Sequence, residues 1–215
     1  MWYYRIAARM IGVKQLKKKS GSIYSDVEEL VLEPWQRMRQ RFLSPIAFVL
    51  ARLGISADML SFASVVLGIG FFLYAPFQFT VAFWFLIASL VCDSLDGVEA
   101  RLTGTNTMRG SFTDVFCDQL VVAFTVAGMA WKGLIQPALA VIFVSVYTSL
   151  VMFLVLHRLL RVSSFGVVRP SRMLLYAAIA LYFFFHIDLL NYLLLVYLLT
   201  LPLVFLSFWR LRKAL

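Results

Sequence analysis

The chain has 215 residues, 62% of them hydrophobic, with a mean hydropathy of +0.86 and a formal net charge of +9. A soluble domain of this length cannot hide that much apolar surface, so composition excludes an ordinary globular protein and predicts an all-α integral membrane protein. The positive charge bears on topology first. With no aromatic-rich RNA-binding motif and no solvated basic domain, nucleic acid is not expected as a partner.

Residues 1–57 hold half of the lysines and arginines and no long apolar run, and read as an N-terminal cytosolic or interfacial amphipathic region. Trp2, Tyr3, Ile6, Met10, Val13 and Leu16 recur at helical spacing, with Arg5, Arg9, Lys14 and Lys17–Lys19 between or after them. That pattern predicts a basic helix on an anionic membrane surface. Val27, Leu30, Val31, Trp35, Met38 and Phe42 predict a second interfacial helix, kinked or restarted at Pro34. A short helix near Pro45–Leu53 should lead into the membrane.

Residues 58–215 predict a six-helix transmembrane domain. No charge occurs between Asp58 and Asp93, a stretch too long for one span, and Tyr74–Gln78 offers a turn in its middle. The expected spans are 58–75, 79–102, 110–131, 138–160, 170–187 and 189–210, with breaks at Pro76, Thr103–Arg109, Gly133–Pro137, Arg161–Arg169 and Asp188. With the N-terminus inside, every Lys and Arg except Lys132 falls on the cytosolic side, as the positive-inside rule demands. Cys92 and Cys117 each sit beside an aspartate at that side, where small apolar filler is the expected role and a disulfide is not.

Four aspartates stand on a grid at the cytosolic ends of spans two and three. Asp93, Asp96, Gly97 and Ala100 share one helical face, and Gly110, Asp114 and Asp118 share a face of the next span. The polar linker Leu102–Arg109 is short, so the two helices should be antiparallel neighbours with their acidic faces meeting. Clustered carboxylates at membrane depth stay ionised only if cations neutralise them. With no histidine or thiolate pair at ligand spacing, all-oxygen ligation suits Mg²⁺ or Mn²⁺, and paired ions suit the clamping of phosphoryl oxygens. The small residues on both faces leave room for a ligand, and Arg101 is placed to hold a phosphate. Glu99 points away from Asp93 and Asp96 by helical angle and is expected to be solvated at the helix end. His157 and His186 are expected to pack at the interfaces.

Asp93-Ser-Leu-Asp96-Gly97-Val-Glu-Ala100-Arg101, followed after eight residues by Gly110-Ser-Phe-Thr-Asp114-Val-Phe-Cys-Asp118, resembles the signature of the CDP-alcohol phosphotransferase family, with every signature position filled. Upstream, Leu53–Ser61 looks like the family's approach to span one, with Ala57 and Asp58 replacing Pro and Asn. Thr113 and Gln119 also depart from the residue types expected there. The resemblance implies transfer of a phosphatidyl group from a CDP-activated lipid alcohol, commonly CDP-diacylglycerol, to a second polar alcohol with loss of CMP. It further implies that Asp93, Asp96 and Asp114 hold two metal ions, with Asp118 on the second ion and also serving as the base. Asp58, Ser61, Gly97, Ala100, Arg101, Thr107 and Gly110 fall at its CDP-binding positions. Val167–Arg172 looks like the inositol-phosphate-using, phosphatidylinositol-phosphate-synthase-like branch, which would make Arg158, Arg161, Arg169 and Arg172 an acceptor-phosphate cluster. Glycerol phosphate is the other acceptor considered, and an ordinary positive-inside loop accounts for the same arginines.

The implied partners are the CDP-lipid, the acceptor, membrane lipids and, by analogy, a second copy in a homodimer. The implied location is an inner membrane of bacterial or archaeal type with the site facing the cytosol. Three other functions compete: an intramembrane prenyltransferase, a divalent-cation transporter, and an inactive lipid-binding member of the same family.

Overall fold

A computed structural model describes residues 40–105, 107–160 and 170–214, apart from the side chains of Arg158, Pro170, Ser171 and Ala214. The amphipathic segments expected over residues 1–39, together with Arg158, Arg161 and Arg169 as side chains, lie outside the described residues. All regular structure in the described residues is helical. In chain order the helices are α1 (40–52), α2 (Ala57–Tyr74), α3 (Phe79–Thr103), α4 (Met108–Trp131), α5 (Pro137–Leu159), α6 (Pro170–Phe185), α7 (Leu190–Leu198) and α8 (Leu201–Ala214).

Local sequence sets the helix ends. Ser56 caps α2 by accepting the amide of Met59, and Thr107 caps α4 by accepting the amide of Gly110 at 3.1 Å. Between α3 and α4, Gly104 takes a left-handed conformation (φ 76°), which lets the chain reverse at once. At the opposite end, Asp188 accepts the amide of Leu190 and starts α7.

Among the described residues, five stretches are long and apolar enough to cross a membrane: Ala57–Tyr74, Phe79–Thr103, Met108–Trp131, Pro137–His157 and Leu190–Lys213. The six expected spans reduce to five on this criterion. The difference is α6, whose 16 residues rise about 24 Å against a hydrocarbon core of about 30 Å. It stops at Phe185, before His186 with its positive φ of 55°. The last span is also broken, into α7 and α8, because Pro202 has no amide to continue the helical ladder; at the break the Thr200 amide and hydroxyl both donate to the Tyr197 carbonyl. Upstream, α1 passes through Pro45 as one helix rather than restarting there.

Helix α2 packs closely against both α3 and α4, which touch each other much less. The expected antiparallel pair is therefore wedged by α2. Glycines permit the approach: a Cβ on Gly128 would lie 3.1 Å from the Phe72 Cα, and one on Gly68 3.4 Å from the Val121 Cα. Helix α5 joins α4 to α7 and α8, while α6 has α7 as its close backbone neighbour. The main core runs through Phe71, Phe83, Val122, Met129, Phe143 and Ile179. Large apolar side chains outside it, among them Phe62, Trp84, Val141 and Val196, are exposed, as a lipid-facing surface requires. Cys117 is buried beside Val65 and Val121 as apolar filler, and Cys92 and Cys117 are free thiols.

Candidate metal centre

Helix α3 carries Asp93, Asp96, Gly97 and Ala100, and α4 carries Gly110, Asp114 and Asp118. The left-handed Gly104 at the end of α3 and the Thr107 cap of α4 set the two helix ends near each other. Asp93, Asp114 and Asp118 each offer a carboxylate oxygen, and these atoms all lie within 4.8 Å of one another. The trio fits a hard divalent cation: three oxygens on two helices, half-buried, with no nitrogen or sulfur ligand among them.

Asp96 stands apart from this trio. It is only 4% exposed and accepts a 2.6 Å hydrogen bond from the Ser61 hydroxyl of α2. It remains within electrostatic reach of Asp114 and Asp93. Behind it lies a ladder of serines: Ser64 donates to the Ser61 carbonyl at 2.7 Å, and Ser89 donates to the Ser64 carbonyl at 2.8 Å. All three serines are buried, so α2 is pinned to α3 by satisfied polar groups behind the carboxylates. The hydroxyl of Ser61, expected at the CDP position, is thus already engaged with Asp96.

A cation reaches the trio from a third helix. Arg172, in the first turn of α6, places Nη2 3.1 Å from Asp93 Oδ2 and pairs Nη1 with Asp118 Oδ1. Its side chain is 12% exposed. Tyr147 and Tyr176, both buried, lie within electrostatic reach of this guanidinium. Neither tyrosine has a sequence signal beyond a phenol in an apolar span.

The other expected site residues are distributed around this centre. Arg101 occupies the last turn of α3 and is half-buried, and Thr107 is exposed with its hydroxyl capping α4. Asp58 is exposed in the first turn of α2. Glu99 is not solvated: it is 4% exposed, the Thr103 hydroxyl donates to its backbone carbonyl at 3.0 Å, and its Oε2 is buried without a hydrogen-bond partner among the described residues. Its face is covered by α1, whose Leu43, Ala47 and Leu50 pack against Leu60, Leu95, Val98 and Leu102. His157 is buried beside Ser207 and Arg210 of α8, near the end of its span, whereas His186 is exposed. Gln119 accepts a 3.1 Å hydrogen bond from Thr148, which makes that departure from the signature an α4–α5 tie.

Two curated relatives, from two strains of Helicobacter pylori and both named CDP-diacylglycerol–serine O-phosphatidyltransferase, are 42% and 41% identical to this chain over 71 residues. In each case the similar segment covers 33% of this chain and 29% of the relative. A much longer stretch, residues 54–208, matches the family profile described as CDP-alcohol phosphatidyltransferase. That match takes in the aspartate grid, the helix that buries its back and the helix that brings Arg172. On this evidence the chain belongs to the CDP-alcohol phosphatidyltransferase family.

Proposed function

We propose that the protein moves a phosphatidyl group, or a similar substituted phosphate, from a CDP-linked lipid alcohol such as CDP-diacylglycerol to a second polar alcohol, releasing CMP. The observation that carries this reading is the convergence of Asp93, Asp114 and Asp118 from matched faces of two helices. Two Mg²⁺ or Mn²⁺ ions would be held by these residues together with Asp96. Bound there, such ions supply stabilisation of the negative charge that builds on the pyrophosphate oxygens.

The chain's own residues position and deprotonate. Asp118 takes the proton from the acceptor hydroxyl. The acceptor oxygen forms a bond to the lipid-side phosphorus, the phosphoanhydride bond breaks, and its electron pair leaves with CMP. Gly97, Ala100 and Gly110 leave space beside the backbone for the nucleotide diphosphate, with Arg101, Thr107 and Asp58 around it. Ser61 acts through Asp96, holding that carboxylate at its depth.

The site faces the cytosol in this reading, and α6 is a sixth crossing in spite of its length. Arg172 at one end of α6 meets the aspartates, while Tyr182 near the other end packs on Phe79, with ring centroids 5.5 Å apart. Phe79 also lies under Lys132, at the α4–α5 connection.

Serine is the first acceptor to test, because it is the alcohol named for the two relatives. Inositol phosphate and glycerol phosphate are the second reading, favoured by the cation that Arg172 brings to the centre. Purified protein with Mn²⁺ or Mg²⁺ and CDP-diacylglycerol should release CMP with one member of an acceptor panel. Asp118→Asn should abolish that release while thermal unfolding stays normal. No release with any acceptor would leave the inactive lipid-binding reading in place, and full activity in Asp118→Asn would remove the assigned base. Mass photometry in detergent reads the homodimer that is also part of this proposal.

A further inference from the structure

Arg172 is the unusual member of the centre. It bridges Asp93 on α3 and Asp118 on α4, two of the three carboxylates able to hold a cation. A guanidinium placed there and a divalent ion placed there draw on the same negative charge and repel each other across a few ångströms of partly buried space. A clamped Arg172 is also unable to receive the phosphate of an acceptor, because its donors are already directed at carboxylates.

The construction of α6 suits an exchange between these two cations. Among the described residues, its close backbone neighbour is α7, not the grid helices. Toward the far end it is fastened by aromatic rings, with Phe183 stacked on Phe83 at 4.0 Å between centroids and Tyr182 against Phe79. At the aspartate end the Arg172 guanidinium ties it to both α3 and α4.

We infer that Arg172 is an internal counter-cation that a divalent ion displaces, so that loading of the aspartate centre and release of the first turn of α6 are one coupled event. The inference rests on the cation-binding reading above and deepens it. Before the ion enters, Arg172 offsets part of the repulsion among the carboxylates and holds α6 over them. Once the ion enters, the guanidinium is set free beside the centre, where an anionic acceptor group can take it.

Mn²⁺ binding without substrate tests this, read from the electron paramagnetic resonance signal of free Mn²⁺ over purified protein in detergent. Arg172→Gln should bind Mn²⁺ about tenfold more tightly than the wild type, the equivalent of one charge-assisted hydrogen bond no longer broken. Arg172→Lys keeps the charge and loses the fork, and should lie between the two. Asp114→Asn should weaken binding with Arg172 intact. In the wild type, Mn²⁺ should speed amide hydrogen exchange over residues 172–176, a readout that does not depend on the variants folding.

Equal or weaker binding by Arg172→Gln, with the wild type binding normally, overturns the exchange and leaves the cation centre standing. Unchanged exchange at 172–176 on saturation with Mn²⁺ overturns it as well. Silence from both the wild type and Arg172→Gln overturns the cation centre too. Binding by Arg172→Gln alone is the strongest form of support.

Discussion

The carboxylate of Asp96 is buried behind the trio, where the Ser61 hydroxyl donates to it at 2.6 Å. Removing that donor strands a buried acceptor beside other acids. Ser61→Ala should therefore cost about 1.5–3 kcal/mol of stability, the range for hydrogen bonds to charged groups, while Ser61→Thr should stay near the wild type. Thermal unfolding in detergent checks both, and an unchanged midpoint for Ser61→Ala would mean that water or another donor satisfies Asp96. The residue scale is also where sequence reasoning was strongest and where it missed most. Charge at membrane depth made the aspartates visible, because few other roles justify it. Glu99 was misplaced because helical angle locates a side chain relative to its own helix only. What covers that face, the N-terminus of α2 and the side chains of α1, is decided by packing.

At the scale of elements, small residues and short polar ties set how the helices meet. Gly128 faces the backbone of α2, and a Cβ there would stand 3.1 Å from the Phe72 Cα, an atom that cannot rotate away. Gly128→Ala should push α2 from α4 and cost about 1–3 kcal/mol, read as a lowered unfolding midpoint. At the end away from the aspartates, the Asn191 side chain accepts from the Gln136 amide and donates to the Leu134 carbonyl, each at 2.9 Å. Asn191→Ala leaves both backbone groups without this partner and should cost about 1–3 kcal/mol. Amide exchange should rise at Gln136 more than at Val122, which lies in the core; equal protection at Gln136 in both proteins would sink the prediction. The spans themselves were legible as charge-free apolar runs, and their breaks as Pro, Gly and polar clusters. The short span at 170–187 was among them, and α6 ends within two residues of it; the fracture at Leu199–Thr200 was not legible, since an apolar count does not register where Pro202 withholds an amide.

At the scale of the whole molecule, α6 decides the topology. If it crosses, Lys132 and Arg210 lie on opposite sides of the membrane; if it turns back, the last span is inverted. Yet Asn191, at the start of that span, is bonded to the α4–α5 connection, and Arg210 lies near His157 at the end of α5. Both contacts support the sixth crossing proposed above. In a protein with Cys92 and Cys117 replaced by serine, a membrane-impermeant thiol reagent should label Lys132→Cys in intact cells. It should label Arg210→Cys only after permeabilisation. Labelling of both positions from one side would refute the sixth crossing and with it the assigned orientation.

The sequence alone determined the solvent of this protein, the run of its helices and the chemistry of its grid. Each follows from local rules: apolar length, helical period, and the cost of placing acids in hydrocarbon. Only the tertiary structure decided which aspartates meet, that Asp96 turns back onto Ser61, and that Arg172 arrives from a helix distant in the chain to sit between Asp93 and Asp118. Those outcomes depend on how helices far apart in sequence wedge together, and no spacing within one segment encodes them.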